Sequence, residues 1–117
     1  MAATLALTSG PANIGEGMKI ATYDIVLDTT QATGGEALDF TNEFTNIAAI
    51  IPAGNDTAAD NAYKYSFLCP DYATAATSSN CLVQMHWSPT GTSGEPFVEF
   101  TGNASTVGNL KCVVIGK

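Results

Sequence analysis

Apolar and polar positions along most of this chain alternate with a period of two, the spacing of a strand whose side chains point to opposite faces. From Met18 to Leu27, Met18, Ile20, Thr22 and Asp24 fall on one face. Ile25, Val26 and Leu27 are apolar on both faces, which predicts a strand that enters a sandwich core at its C-terminal end. Over residues 62–69, Tyr63, Tyr65, Phe67 and Cys69 share a face, and aromatic residues at period two are a strand signal. Cys81, Val83, Met85 and Trp87 repeat the pattern over residues 81–87, so the two segments are expected to pair as a hairpin across the Ser/Thr/Ala-rich residues 70–80. Further strands are expected at residues 36–40, with Leu38 and Phe40 on one side, at residues 96–100 and at residues 110–116. Phe44, Ile47, Ile50 and Ile51 recur at three and four, which predicts one helical turn around residues 42–46 and a strand over residues 47–51 ended by Pro52.

Residues 1–16 break this rhythm. Ser9-Gly10-Pro11-Ala12-Asn13 and Gly15-Glu16-Gly17 interrupt regular structure, so the segment is expected to be an extended arm with a short strand at residues 4–8. Residues 17–117 then form one domain. Six to eight strands, uneven loops and no long amphipathic helix predict an all-β fold, an antiparallel β-sandwich or jelly-roll-like barrel.

Composition narrows the function. At 117 residues the chain is one domain's worth, and with 45% hydrophobic and only 13% charged residues it escapes the composition of disorder. Its net charge of −7, with four scattered lysines and no arginine, disfavours nucleic acid and phosphate-handling chemistry. The longest apolar run, residues 47–51, is far below the roughly 20 residues of a membrane span. Because the N-terminus lacks a basic n-region, the product is expected to be soluble and non-secreted.

No catalytic constellation emerges. The single histidine, His86, lies opposite Met85 and Trp87 with no ligand partner nearby, and reads as structural. Cys69, Cys81 and Cys112 lack zinc-site spacing and read as buried thiols. A Cys69–Cys81 bridge at the mouth of the expected hairpin is the alternative, set against the reducing environment of the cytosol. The pairs Asp24/Asp28, Asp56/Asp60 and Glu95/Glu99 invite a glycosidase or calcium reading, yet the loop at residues 54–61 lacks the ligand spacing of an EF-hand. No serine stands in a G-x-S-x-G context. Catalytic residues, metal and cofactor are therefore all expected to be absent. In Thr33-Gly34-Gly35-Glu36-Ala37-Leu38 the two glycines precede a strand rather than a helix, so they read as a structural turn instead of a phosphate cradle, with Glu36 facing outward.

The succession from Tyr23 through the "TGGEAL" element to Leu38, the apolar residues 47–51, the aromatic Tyr63-Lys64-Tyr65 and the closing Leu110-Lys111-Cys112-Val113-Val114-Ile115-Gly116-Lys117 resembles small structural proteins of tailed bacteriophages, especially marine and cyanobacterial ones. The resemblance spans about residues 18–117, and the chain departs from it in the long loop at residues 70–80 and in its three cysteines. It implies a capsid decoration or cement protein: a compact β-fold, often a homotrimer, made in the host cytoplasm, bound to the major capsid protein on the outer virion surface and carrying no catalytic residues. In that setting the uncharged stretch Ala2, Ala3, Thr4, Leu5, Ala6, Leu7 and Thr8 is the expected capsid or subunit interface, by lying along the shell or adding a strand to a neighbour's sheet. The alternative is a glycan- or host-surface-binding module of a tail or fibre, with Trp87, Tyr63, Tyr65 and Tyr72 as its aromatic platform.

Overall fold

The structure, a computed structural model, describes residues 3–27, 33–55, 63–77, 80–87, 98–99, 101 and 109–117, with the side chains of Asn55 and Tyr63 outside the description. These residues build two antiparallel sheets and no helix. The first sheet has the order β1-β2-β8-β4, from β1 (Thr4–Gly15), β2 (Met18–Val26), β8 (Leu110–Gly116) and β4 (Ile47–Asn55). In the second, β6 (Leu82–Trp87) is flanked on one side by β5 (Tyr63–Leu68). Its other side is shared by the two-residue strands β3 (Glu36–Ala37) and β7 (Val98–Glu99). The expected strand at residues 96–100 is described only at Val98 and Glu99.

Alternation sets which side chains meet between the sheets. Ala21, Tyr23 and Ile25 from β2, Leu110, Cys112 and Val114 from β8, and Val83 and Met85 from β6 are all buried. Leu38, Phe40, Phe44 and Ile47 join this sandwich core, with Ala3, Leu27, Ala76 and Cys81. Full burial of a side chain such as Ile25 contributes on the order of 2 kcal/mol. The expected β5–β6 hairpin forms, with pairing from Tyr63 with Trp87 to Leu68 with Leu82. Around residues 40–44 the chain makes a single turn, in which the Phe44 N–H donates to the Phe40 carbonyl at 2.9 Å.

Three local expectations give way. Residues 4–15, expected as an arm with a strand at residues 4–8, form one 12-residue strand paired with β2. Gly10, Pro11 and Asn13 do not end it, because register shifts between Leu7 and Ser9, Ser9 and Ala12, and Asn13 and Gly15 absorb the irregular residues as bulges. A two-residue turn, Glu16-Gly17, with φ of 54° and 77°, then reverses the chain into β2. Pro52 likewise does not end β4, which continues to Asn55. That strand is the last of its sheet, where a missing N–H breaks no ladder bond on the open side. Glu36, expected to face outward, is fully buried. It has the same parity as Leu38 and Phe40, so the strand that sends those two inward sends Glu36 with them.

The sheets are tied at their margins. The Tyr65 hydroxyl on β5 donates to the Gly54 carbonyl on β4 at 2.8 Å and accepts from the Gly54 N–H at 3.2 Å. At the opposite margin the Ala3 N–H donates to the Ala37 carbonyl, joining the approach to β1 with β3.

Candidate interaction face

Residues of β2 and β8 that do not enter the core point away from it. On β2 these are Ile20, Thr22, Asp24 and Val26, and on β8 they are Lys111, Val113 and Ile115. Pairing adds Ala49 beside Ile115 and Ile51 beside Val113 from β4, and Ala6 beside Asp24 and Ala12 beside Ile20 from β1. Thr8 joins through its hydroxyl, 2.8 Å from that of Thr22. An antiparallel sheet with one face in the core ordinarily turns polar residues to water on the other. Here the outer face is mostly aliphatic, with Val26 at 46% and Ile51 at 45% exposure.

Among the described residues, charge on this face is confined to one pair. Lys111 Nζ donates to Asp24 Oδ1 at 3.0 Å, joining the two central strands of the sheet. The chain as a whole carries −7, yet the described residues of this face sum to zero. A shallow depression of about 280 Å³ crosses all four strands at the level of the pair, lined in part by Thr8, Thr22, Asp24, Ala53 and Lys111. Directly beneath, burial and then the nearby Asp24 carboxylate push the Cys112 thiol up to about 12, so it stays neutral.

The seven residues expected as an interface divide between environments. Ala2 lies outside the described residues. Ala3 is buried and Leu5 packs on the core, while Thr4, Ala6, Leu7 and Thr8 are exposed. Leu5 and Leu7 line a cleft of about 200 Å³ with Tyr23, Asp39, Asn42 and Glu43. In it the Tyr23 hydroxyl donates to Glu43 Oε2 at 3.0 Å, and outside it the Lys19 ammonium donates to the Glu43 carbonyl while sitting 5.5 Å above the Phe44 ring. These contacts brace β2 against the turn at residues 40–44. Asp39 is held below the usual carboxylate range by the hydroxyl and N–H of Thr41, a local turn contact.

Other candidates are placed as follows. Gly34 and Gly35 carry φ of 89° and 121°, and a Cβ on Gly35 would stand 3.1 Å from the Val83 carbonyl oxygen. Cys69, Cys81 and Cys112 are all free thiols. The Cys69–Cys81 bridge is not formed: β5 ends at Leu68, so Cys69 leaves the ladder one residue before it would face Cys81 and is exposed, while Cys81 is buried. Burial, and then the neighbouring Cys69, push the Cys81 thiol up to about 11. His86 lies between Lys64 and Glu99 in a cross-strand row on the outside of the second sheet. Among the described aromatic side chains, Tyr65 and Trp87 pack against the core, the Tyr65 hydroxyl is engaged by Gly54, and Tyr72 is exposed. The acidic loop at residues 54–61 lies outside the described residues from Asp56 onward. Among the described residues no group of three or more His, Cys, Asp or Glu side chains is placed to hold a metal. No family model, curated protein or solved structure matches the chain.

The outer face could have been found in the sequence. In Val113-Val114-Ile115 and Ile25-Val26-Leu27 both parities are apolar, so one apolar row had to face away from any single core.

Proposed function

We propose that this chain is a non-enzymatic structural protein that attaches to the outside of an assembled phage capsid and reinforces it, with the major capsid protein as partner. The observation that carries the reading is β1: twelve residues without a charge, at the end of its sheet, with no strand on its outer side among the described residues. Open strand edges recruit strands from other chains unless charge, proline or bulges blunt them. Bulges blunt β1 from Leu7 onward, which leaves residues 4–7 as the regular stretch for pairing with a shell subunit. Many such short contacts, repeated over a shell, hold through avidity. The resemblance to phage structural proteins points to the same kind of partner.

Deleting residues 1–12 is a poor test, because Ala3 and Leu5 belong to the core assembly. Leu7→Lys places a charge on the open edge at a position already 43% exposed. Wild-type protein is expected to co-sediment with empty capsids, and Leu7→Lys to do so at least tenfold more weakly, with an unchanged circular dichroism spectrum. Equal binding by both proteins would remove β1 from the account. Release of bound protein by soluble sugars would favour the glycan-binding alternative.

A further inference from the structure

The outer face of the first sheet is more ordered than a generic apolar patch, and its order is two-fold. The sheet has four strands, so its midline runs between β2 and β8. Asp24 and Lys111 are register partners on either side of that line. Rotating a second copy by half a turn about an axis along the midline lays the two faces together and places each Asp24 against the partner's Lys111, twice over. Such an interface is isologous: if residue i meets j, then j meets i.

In one row side-chain bulk follows the same symmetry, while in the row of Ala12, Ile20, Ile115 and Ala49 isoleucine meets isoleucine and alanine meets alanine. Across the row next to the ion pair, from β1 to β4, stand Thr8, Thr22, Val113 and Ile51, small on one side of the midline and large on the other. The same rotation brings Ile51 over the partner's Thr8 and Val113 over its Thr22. Large residues meet small ones twice, as close packing between sheets requires. Asp24 and Lys111 already neutralise one another, so bringing two copies together adds no like-charge repulsion at the centre of the face.

We infer that two copies of this chain associate through the outer faces of their first sheets about a two-fold axis along the β2–β8 midline, with reciprocal Asp24–Lys111 pairs at the centre. The partner of this face is a second copy, which leaves the β1 edge for the shell. Four strands about 4.8 Å apart and roughly seven residues long at about 3.4 Å each span roughly 450 Å² in projection. Side-chain relief enlarges that area, so the dimer buries on the order of 1,000 Å², at the low end of specific interfaces. It is therefore a reversible dimer that dissociates on dilution.

Charge reversal tests this directly. Asp24→Lys gives a face with two lysines and Lys111→Asp a face with two aspartates. Each variant alone is expected to dimerise at least tenfold more weakly than wild type. Mixed in equal amounts they are expected to form a heterodimer, seen by light scattering and by native mass spectrometry with one partner isotope-labelled. The double reversal, Asp24→Lys with Lys111→Asp, is expected to dimerise like wild type, which separates a pairing effect from damage to the fold. Wild type that is monomeric at every concentration up to about 1 mM, or trimeric, would overturn the inference. So would single variants that keep the wild-type dimer, or a mixture that forms no heterodimer.

Discussion

The two sheets follow one rule on their inner faces and different rules on their outer faces. Inside, both alternate buried residues into a shared core, Tyr23, Ile25, Cys112 and Val114 from one sheet and Val83 and Met85 from the other. Outside, the second sheet is largely polar: Lys64, His86 and Glu99 form one cross-strand row, Ser66 and Gln84 form the next, and Leu68 and Leu82 form a single aliphatic row at the end. At the matching positions of the first sheet stand Ile20, Val113, Ile115 and Ile51, with a single ion pair. One chain thus builds an outer face that is polar but for one leucine pair on one sheet and a mostly aliphatic one on the other, within the same folding constraint. Folding explains the inner faces, and the proposed self-association is our account of the difference between the outer ones.

The sharpest way to break the comparison is to disturb the inner side of the first sheet. Gly116 is buried, and a Cβ there would overlap the Asn46 carbonyl oxygen and press on the Phe44 ring. Neither can retreat easily, because the Asn46 carbonyl accepts from the Lys117 N–H at 2.8 Å and Phe44 is in the core. Gly116→Ala is expected to cost about 3 kcal/mol, the upper part of the overpacking range, read as a lower urea midpoint. A cost below about 0.5 kcal/mol would show that this side of the sheet yields more readily than its packing implies.

A smaller effect comes from pH. The thiols of Cys112 and Cys81 are raised to about 12 and about 11, each chiefly by burial, and the Tyr23 hydroxyl is raised above its ordinary value by burial and by Glu43. In the unfolded chain these groups lose protons near pH 9 to 10, while the folded protein still holds them. The unfolded state then binds fewer protons, so stability is constant up to about pH 9 and falls from there towards pH 12. Urea midpoints measured from pH 7 to pH 11 check this, and a midpoint that rose through that window would contradict the burial of these groups.

Much of this architecture was legible beforehand. The β5–β6 hairpin and its inward row of Cys81, Val83 and Met85 follow from alternation, because aromatic and apolar residues at period two leave only one way to face a core, whereas the register does not, since alternation fixes parity alone. Residues 4–15 were illegible as a strand, since Gly10, Pro11 and Asn13 look like an end when they are bulges, and a bulge needs the partner strand to define it. Pro52 misleads for a related reason: whether proline ends a strand depends on whether the strand lies at an edge, a tertiary fact. Glu36 sets charge against parity, and parity prevails. The aliphatic outer face was half legible, as strands apolar on both sides. Such a pattern is the same for a strand between two layers and for a strand with an open apolar side.

On the proposed reading, the outer face of the first sheet serves association and that of the second does not. The most direct test is the native mass, by light scattering across a concentration series, of wild type, Ile51→Asp and Ser66→Asp, the two substituted side chains being exposed positions on the respective outer faces. Thermal unfolding at low concentration should leave all three within about 0.5 kcal/mol of one another, as for ordinary surface changes. Wild type and Ser66→Asp are expected to rise with concentration from 12.1 kDa towards twice that mass, while Ile51→Asp stays monomeric throughout. Equal behaviour of Ile51→Asp and Ser66→Asp would show that the outer face of the first sheet has no special part in association.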